Sequence, residues 1–189
     1  MIENHFTELI DAVTRTGAHT ARLTSWGHHL AGVLTAGGRL LACGNGGSAA
    51  EAQHLTAELV GRFRDERIPL SAIALHADTS ALTAIGNDYG EDEMFARGGR
   101  APARRGDVLI ALSTSGSSSN VLAAVKAAHE IGVLAWGLTG PAPNPLAALC
   151  HDAICVDAAS TATVQEIHLL LIHALCMAVD EVVLGRAAS

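Results

Sequence analysis

The sequence has few aromatic residues, almost no lysine and no long basic run. Aromatic residues make up only 3% of its 189 residues, which disfavours an aromatic-rich β-sandwich and suits a core of small side chains. Lys126 is the single lysine, and the formal net charge is −7. No basic run extends beyond Arg104 and Arg105, so we expect no nucleic-acid partner, because such partners require a clustered positive surface.

Long uninterrupted apolar segments are also missing. The longest apolar stretch, residues 169–183, is broken by His173, Asp180 and Glu181. It is shorter than the roughly 20 apolar residues that a membrane span needs. The first ten residues hold two acidic side chains and no basic segment, a pattern that does not match a signal peptide. We therefore expect neither a membrane partner nor a cleaved leader.

The cysteines form no Cys-x-x-Cys pair, and each lies in an apolar run. This arrangement is typical of buried, reduced thiols and not of disulfides or of a zinc ion held by cysteines. We therefore expect a cytoplasmic protein. The four residues are Cys43, Cys150, Cys155 and Cys176.

Chain length and apolar patterning predict a single domain over residues 1–189. A chain of this size buries about 70% of its unfolded surface and needs no disulfide or metal merely to fold. Residues 1–37 carry apolar side chains at helical spacing and form a predicted helical extension used in oligomer packing. Residues 38–189 form the predicted α/β core.

Apolar strand patterns alternate with helical patterns along this core. The strands are apolar throughout, as in parallel sheets that are covered on both faces. We predict a doubly wound α/β fold around a five-stranded parallel sheet, with a turn at residues 87–90 and a loop at residues 141–145. The predicted strands are residues 39–43, 71–76, 107–113, 133–138 and 152–157, and the predicted helices are residues 48–60, 79–86, 91–97, 119–131 and 163–184.

Two loops rich in glycine and serine follow the first and third predicted strands. Residues 44–48 (GNGGS) and 113–118 (STSGSS) each lead into a helix N-terminus, which favours anions. The second loop adds five hydroxyl groups that suit a phosphate monoester. Neither loop is a P-loop, because no Gly-Lys-Ser/Thr follows. Ligands of open α/β sheets bind at the carboxyl ends of strands, although two polar loops that only cap helices are an alternative.

Two pairs of polar side chains are spaced to share a helix face. His54 and Glu58 are four residues apart, about one helical turn, and Gln165 and His173 are eight residues apart on the last predicted helix. Together they offer nitrogen and oxygen ligands for a divalent metal such as zinc. From spacing alone, His54 and Glu58 also suit an exposed helix pair, and His173 also suits a buried core histidine.

Four motifs carry a more specific signal. They are GNGGSAA after the first strand, STSGSSSNV after the third strand, GNDYG between them and QEIHLLLIH on the last helix. In combination they resemble the sugar isomerase (SIS) fold and, more narrowly, the phosphoheptose isomerase family, over residues 38–184. The resemblance implies an enzyme that converts sedoheptulose 7-phosphate to D-glycero-D-manno-heptose 7-phosphate by proton transfer through an enediol. It also implies a homotetramer with sites at subunit interfaces.

The resemblance assigns roles to individual residues. It makes Glu58 the base and His173 the acid. It implies one zinc ion per subunit, with the ligands His54, Glu58, Gln165 and His173. The implied substrate-binding residues are Asn45, Gly46, Gly47, Glu58, Asn87, Asp88, Ser113, Thr114, Ser115, Ser118 and Gln165.

One residue of the last motif and the three residues just before it qualify this assignment. His168 lies inside it, and we interpret this histidine as structural and not as a ligand. Residues 162–164 (ATV) replace an Asp-Arg-Ile run of some family members. Ala162 thus stands where those family members have an acidic residue. This difference bears on the reaction rate and the substrate preference more than on the reaction class.

Three alternatives belong to other functional classes. One is a non-catalytic SIS scaffold that binds the bacterial replication initiator, but Glu58 and His173 stand where that relative lacks them. Another is an isomerase or sensor for a different sugar phosphate. The third is a dinucleotide oxidoreductase, since residues 44–49 formally match Gly-x-Gly-x-x-Ala. Bound metal in the purified protein separates the enzyme from the scaffold and the oxidoreductase.

Overall fold

A computed structural model describes residues 2–185 and contains a parallel five-stranded sheet with helices on both faces. This confirms the predicted fold class. Met1 and residues 186–189, the ends of the predicted domain, lie outside the described residues. The strands are β1 Leu40–Cys43, β2 Ala72–Ala74, β3 Val108–Ser113, β4 Leu134–Thr139 and β5 Asp152–Cys155. The helices are α1 Ile2–Thr16, α2 Thr20–Thr35, α3 Gly47–Val60, α4 Thr79–Tyr89, α5 Glu93–Arg100, α6 Ser119–Ile131, α7 Pro145–Leu149 and α8 Thr161–Val183.

The sheet order places the two polar loops side by side. The strands run in the order β2-β1-β3-β4-β5, all parallel. The chain moves from β1 to β2 on one side and returns to β3 on the other side of β1, so the strand order reverses between β1 and β3. Such a switch point opens a crevice at the carboxyl ends of the strands. The loops after β1 and β3 both lie at this crevice.

Alternate residues of each central strand face two different apolar layers. In β1, Leu40 and Ala42 pack with apolar residues of α1, α2, α3 and α8. Leu41 and Cys43 point to the other layer, which α5, α6 and α7 cover. All four side chains are buried. Burial on both faces explains why the strand patterns are apolar throughout and do not alternate.

The helical extension shares the core of the sheet. A short 3₁₀ helix, Gly17–His19, separates α1 from α2, and both helices pack on α8. Trp26 of α2 stacks on Trp136 of β4 with ring centroids 4.7 Å apart. Its indole Nε1–H donates to Asp152 Oδ2 at 2.9 Å. The extension is therefore fixed to β4 and β5 and does not project as a separate arm.

Two local predictions are wrong. Residues 87–89, expected in a turn, form the last turn of α4. The helix ends at Tyr89 and is followed by Gly90, whose φ of +90° is a conformation that favours glycine. The expected loop at residues 141–145 runs into α7. Asn144 caps this helix by accepting the Ala147 N–H, and Pro145 takes the first helical position.

Among the described residues, α8 is the one helix long and apolar enough to cross a membrane by length and composition alone. Within the protein, 56% of its most apolar window is buried. It packs against α1, α2 and α3, and core helices of this kind have the same composition. Its apolar character is accounted for by these contacts.

Candidate active site

The loop after β1 brings backbone and amide groups to the crevice. Gly46 adopts a φ of +55° immediately before α3, a conformation that favours glycine. Asn45 and Asn120, at the start of α6, exchange two amide hydrogen bonds of 2.8 and 2.9 Å. This reciprocal pair ties the first loop to the helix that follows the second loop. Asn120 was not singled out from the sequence, because only the three-dimensional pairing shows its role.

The loop after β3 gathers several hydroxyl groups. Ser113 Oγ lies 3.0 Å from Ser118 Oγ and 3.3 Å from Ser115 Oγ. The Gly116 N–H donates to Ser113 Oγ at 3.1 Å, and Gly116 has a φ of +63°. Thr114 belongs to the same turn, and its carbonyl oxygen packs against Gly140 so closely that no side chain fits there. The result is a compact cradle whose hydroxyl and amide groups can turn to the oxygens of an anion.

Gln165 of α8 lies directly on Gly47, the first residue of α3. A Cβ atom at Gly47 would overlap the Gln165 amide. The close approach therefore needs glycine at this position. It also places the amide beside the first loop, as expected for a group that faces the crevice. Along α8, Gln165 is eight residues from His173, about 12 Å of helix rise.

Three side chains that could hold a metal ion meet where α3 crosses α8. His54 Nε2 lies 3.0 Å from His173 Nε2 and 3.1 Å from Glu58 Oε1. One ligand atom from each of the three residues lies within 4.8 Å of the others. All three side chains are partly buried. The structure thus brings together residues from two helices that are separated by more than 100 positions in the sequence, and we call them the His54–Glu58–His173 triad.

The donor chemistry of this triad fits a zinc ion. Ligand atoms about 2.0–2.2 Å from a tetrahedral zinc are about 3.3 Å apart, close to the separations within the triad. Burial, and then the Glu58 charge, raise the pKa of the nearby Cys176 thiol to about 12. Two histidines and a carboxylate form a donor set that leaves a further position for another ligand.

His168 is fully buried, and its Nε2 lies 3.2 Å from the Thr139 carbonyl oxygen. Its Nδ1 lies 3.6 Å from Glu51 Oε2. These contacts connect α8 with the end of β4 and with α3, and they keep the ring away from the triad. The placement agrees with the structural interpretation of His168.

Asn87 and Asp88 are not brought to the rest of the site within one chain. They lie exposed on the last turn of α4, where the Asn87 amide donates to Asp88 Oδ1 at 2.8 Å. Within residues 2–185, their side chains make no hydrogen bond to either loop or to the triad. Their role in substrate binding stays a prediction.

The segment after α3 contributes three residues that the sequence patterns did not indicate. Phe63 packs beside His173 with ring centroids 5.6 Å apart. The guanidinium carbon of Arg64 lies over the Phe63 ring, 5.1 Å from its centroid. Arg67 is buried and bonds to both α3 and α8. A Phe and an Arg in a polar segment give no periodic signal, so only their three-dimensional contacts reveal them.

Comparison with known proteins shows which protein family has this architecture. A family model described as the SIS domain matches residues 3–140. A phosphoheptose isomerase of Streptomyces coelicolor is 64% identical over 166 residues, which cover 88% of this chain and 71% of that protein. Solved phosphoheptose isomerases from Neisseria gonorrhoeae and Francisella tularensis superpose with TM-scores of 0.87 and 0.89. They are 45% and 35% identical, and the matches cover 95% of this chain and 97% and 96% of those chains.

The crevice loops, the fold and these matches define a SIS-domain protein of the sugar-phosphate isomerase class. Within that class, the chain belongs to the phosphoheptose isomerase family and is an isomerase.

Proposed function

We propose that this enzyme interconverts sedoheptulose 7-phosphate and D-glycero-D-manno-heptose 7-phosphate in the cytoplasm. The observation that carries the proposal is the convergence of His54, Glu58 and His173 at one crossing of α3 and α8. The four unpaired cysteines agree with a reducing compartment. The names of the relatives support the substrate class.

The position of the triad along α3, beyond the first loop, suits a long sugar phosphate. His54 is seven residues, about 10 Å of helix rise, beyond the first residue of α3. The reacting carbons C1 and C2 of a 7-phosphate lie at the opposite end of the substrate from its phosphate. In this proposal, a phosphate in the serine cradle leaves C1 and C2 free to reach the triad.

In the proposed reaction, Glu58 and His173 move protons at opposite ends of the reacting bond. The Glu58 carboxylate takes a proton from C1 of the ketose, while His173 donates a proton to the carbonyl oxygen at C2, which gives an enediol. Return of a proton to C2 and loss of the proton from the C1 hydroxyl give the aldose. No atom other than hydrogen is transferred, so the reaction needs no redox partner.

A zinc ion is the proposed cofactor, one per subunit. His54, Glu58 and His173 would hold it, and we propose Gln165 as the fourth protein ligand, which requires its side chain to turn from its contact with Gly47 towards the triad. When bound, it would polarise the oxygens at C1 and C2. His54 makes contact with both proposed proton-transfer residues, so it also fixes their relative orientation.

The remaining predicted residues bind and orient the substrate. In this proposal, Ser113, Thr114, Ser115 and Ser118 hold the phosphate, because their loop offers several hydroxyl donors at one point. The first loop and the neighbouring amide bind the sugar hydroxyls. These residues are Asn45, Gly46, Gly47 and Gln165, joined by Glu58 and by Asn87 and Asp88 from α4.

Turnover measured by NMR tests the proposed function. Sedoheptulose 7-phosphate should give the heptose aldose, and a chelator should abolish turnover until zinc is restored. Fructose 6-phosphate is the competing substrate that separates a hexose phosphate isomerase from this proposal. Preference for the hexose phosphate, or no turnover of either sugar by the zinc-loaded protein, would reject it.

We also propose that the enzyme is a homotetramer. The exposed apolar side chains Ile2, Phe6, Ile10 and Val13 form one stripe along α1, and Leu169, Leu170 and Met177 are partly exposed around His173 on α8. Apolar faces of this kind usually mark an interface. Packing between copies is also a route by which Asn87 and Asp88 of one subunit reach a site in another.

Light scattering is expected to give about four times the chain mass for the purified protein. Phe6→Glu should reduce the mass, because it places a charge in the apolar stripe. Asn4→Glu adds the same charge to the opposite face of α1 and should leave the mass unchanged. A fully active monomer would contradict the tetramer.

Gly47→Ala is expected to displace Gln165 without unfolding the protein. The added methyl group overlaps the flexible end of the Gln165 side chain, which can rotate away. The free energy of unfolding should change by no more than about 1 kcal/mol, while kcat falls at least about tenfold because a positioned polar group is lost. Thermal denaturation and steady-state kinetics check both expectations, and normal kcat would remove Gln165 from the mechanism.

A further inference from the structure

Arg67 makes five side-chain hydrogen bonds from a position that is almost inaccessible to water. Its side chain is 1% exposed. Its Nε–H donates to Asp180 Oδ1 at 2.7 Å. The other guanidinium nitrogens donate to the backbone carbonyl oxygens of Glu58, Leu59 and Gly61 at the end of α3, and to that of the neighbouring Ile68. One side chain thus bonds to α8 and to the last turn of α3.

The guanidinium is divided between the two helices. A paired arginine and carboxylate often form two parallel hydrogen bonds. Here Asp180 receives only the Nε–H from Arg67, and its Oδ2 has no hydrogen-bond partner among residues 2–185. The Nη2 group donates instead to the Glu58 carbonyl oxygen at 2.7 Å. The arginine therefore bonds to the backbone of Glu58 and does not form a bidentate ion pair with Asp180.

One end of this connection is the backbone of a triad residue, Glu58, and the other end lies further along α8 than His173. Asp180 follows His173 by seven residues, which is nearly two turns and puts both on about the same face of α8. At the other end, Arg67 bonds to the residue that carries the proposed base. The last carbonyl groups of a helix lack partners within the helix, and a cation there is favourable. Arg67 therefore connects Glu58 on α3 with the face of α8 that carries His173.

We propose that the Arg67–Asp180 pair is a positioning device that sets the separation of Glu58 and His173. This inference rests on the proposed function of the triad. A buried ion pair is often no more stabilising than well-packed apolar residues, so fold stability alone does not account for a buried charge pair at this place. A role in fixing the position of α3 relative to α8 does account for the pair, because the triad needs donor atoms from both helices about 3 Å apart.

Asp180→Asn tests this role with a change of almost no volume. We expect the Co²⁺ affinity of the apoprotein, measured by competition with a chelator, to fall about 10- to 100-fold, as for outer residues of metal sites. For sedoheptulose 7-phosphate, kcat should fall by at least about tenfold. KM should change less than about twofold, because the serine cradle is held by β3 and α6. Both measurements are made at a temperature at which circular dichroism shows the variant folded.

Asp107→Asn is the matched control. Asp107 is also buried and paired with an arginine, Arg39, but it lies at the opposite end of the sheet, before β3. A loss of thermal stability without a change in kcat or Co²⁺ affinity is expected for this variant. If Asp180→Asn behaves in the same way, with kcat and Co²⁺ affinity within about twofold of the parent, the pair is only structural and the inference is wrong.

Arg67→Lys keeps the charge and removes the forked group that reaches the Glu58 carbonyl. If Asp180→Asn does not fold, this variant decides, and unchanged kcat and Co²⁺ affinity would overturn the inference. A parent enzyme that isomerises no sugar phosphate contradicts the proposed function instead. If the parent is active and the Asp180→Asn and Arg67→Lys variants keep its kcat and Co²⁺ affinity, only the positioning role is contradicted.

Discussion

Replacing Glu58 by glutamine is expected to lower kcat for sedoheptulose 7-phosphate by about 10² to 10⁴-fold, the usual contribution of a general base. Glutamine keeps the size of the side chain and can still pack beside His54, 3.1 Å away in the parent. It cannot accept a proton from carbon. Circular dichroism should show a folded protein, since Glu58 is only partly buried.

The control for this variant is Glu130→Gln. Glu130 is an exposed glutamate on α6 that pairs with Arg100, so the same chemical change is made away from the triad. Its kcat should match the parent. Because Glu58 is also a proposed zinc ligand, turnover of the Glu58 variant is measured with saturating zinc. Activity within tenfold of the parent under that condition would remove Glu58 from the proposed mechanism.

His173→Gln is expected to stop turnover while metal and substrate binding largely persist. Glutamine offers an oxygen to a metal ion but does not transfer a proton near neutral pH. His54 and Glu58 remain in place, and Gln165 is the proposed further ligand. The expected loss of kcat is again about 10² to 10⁴-fold. Bound zinc, kcat and melting temperature are recorded together on this variant.

Each combination of these three values identifies a different role for His173. Lost zinc, with activity partly restored by excess zinc, would make it a ligand and not an acid. A lower melting temperature with nearly normal kcat would make it structural, through the lost packing on Phe63. His129→Gln, an exposed histidine on α6, should leave all three values unchanged. Near-normal kcat of His173→Gln contradicts the proposed acid role whatever the other values are.

The fold and the two crevice loops could be predicted from local sequence. Fully apolar strands alternating with helices indicate a parallel sheet, and Gly46 and Gly116 occur where the loops need positive φ. The extent of α4 could not be predicted in this way. Asn87 and Asp88 favour turns, but tertiary packing of α4 on α5 keeps the helix intact until Gly90.

The candidate site was predicted in part. His54 and Glu58 share a helix face, which spacing alone indicates. Their meeting with His173 depends on how α3 crosses α8, and without the family resemblance that crossing has no local signal. Arg67 illustrates the same limit. Its partners lie on two helices and include backbone carbonyl groups, which every residue type carries and which therefore give no signal in the sequence.

NMR of sedoheptulose 7-phosphate turnover in D₂O tests the central claim most directly. Proton transfer through an enediol, with Glu58 as the base, predicts deuterium bound to C2 of the heptose product, because the proton held by a carboxylate exchanges with solvent. The Glu58→Gln variant should incorporate deuterium at least about 10²-fold more slowly. Product that forms without carbon-bound deuterium, or deuterium incorporation that is unchanged in Glu58→Gln, would contradict the account.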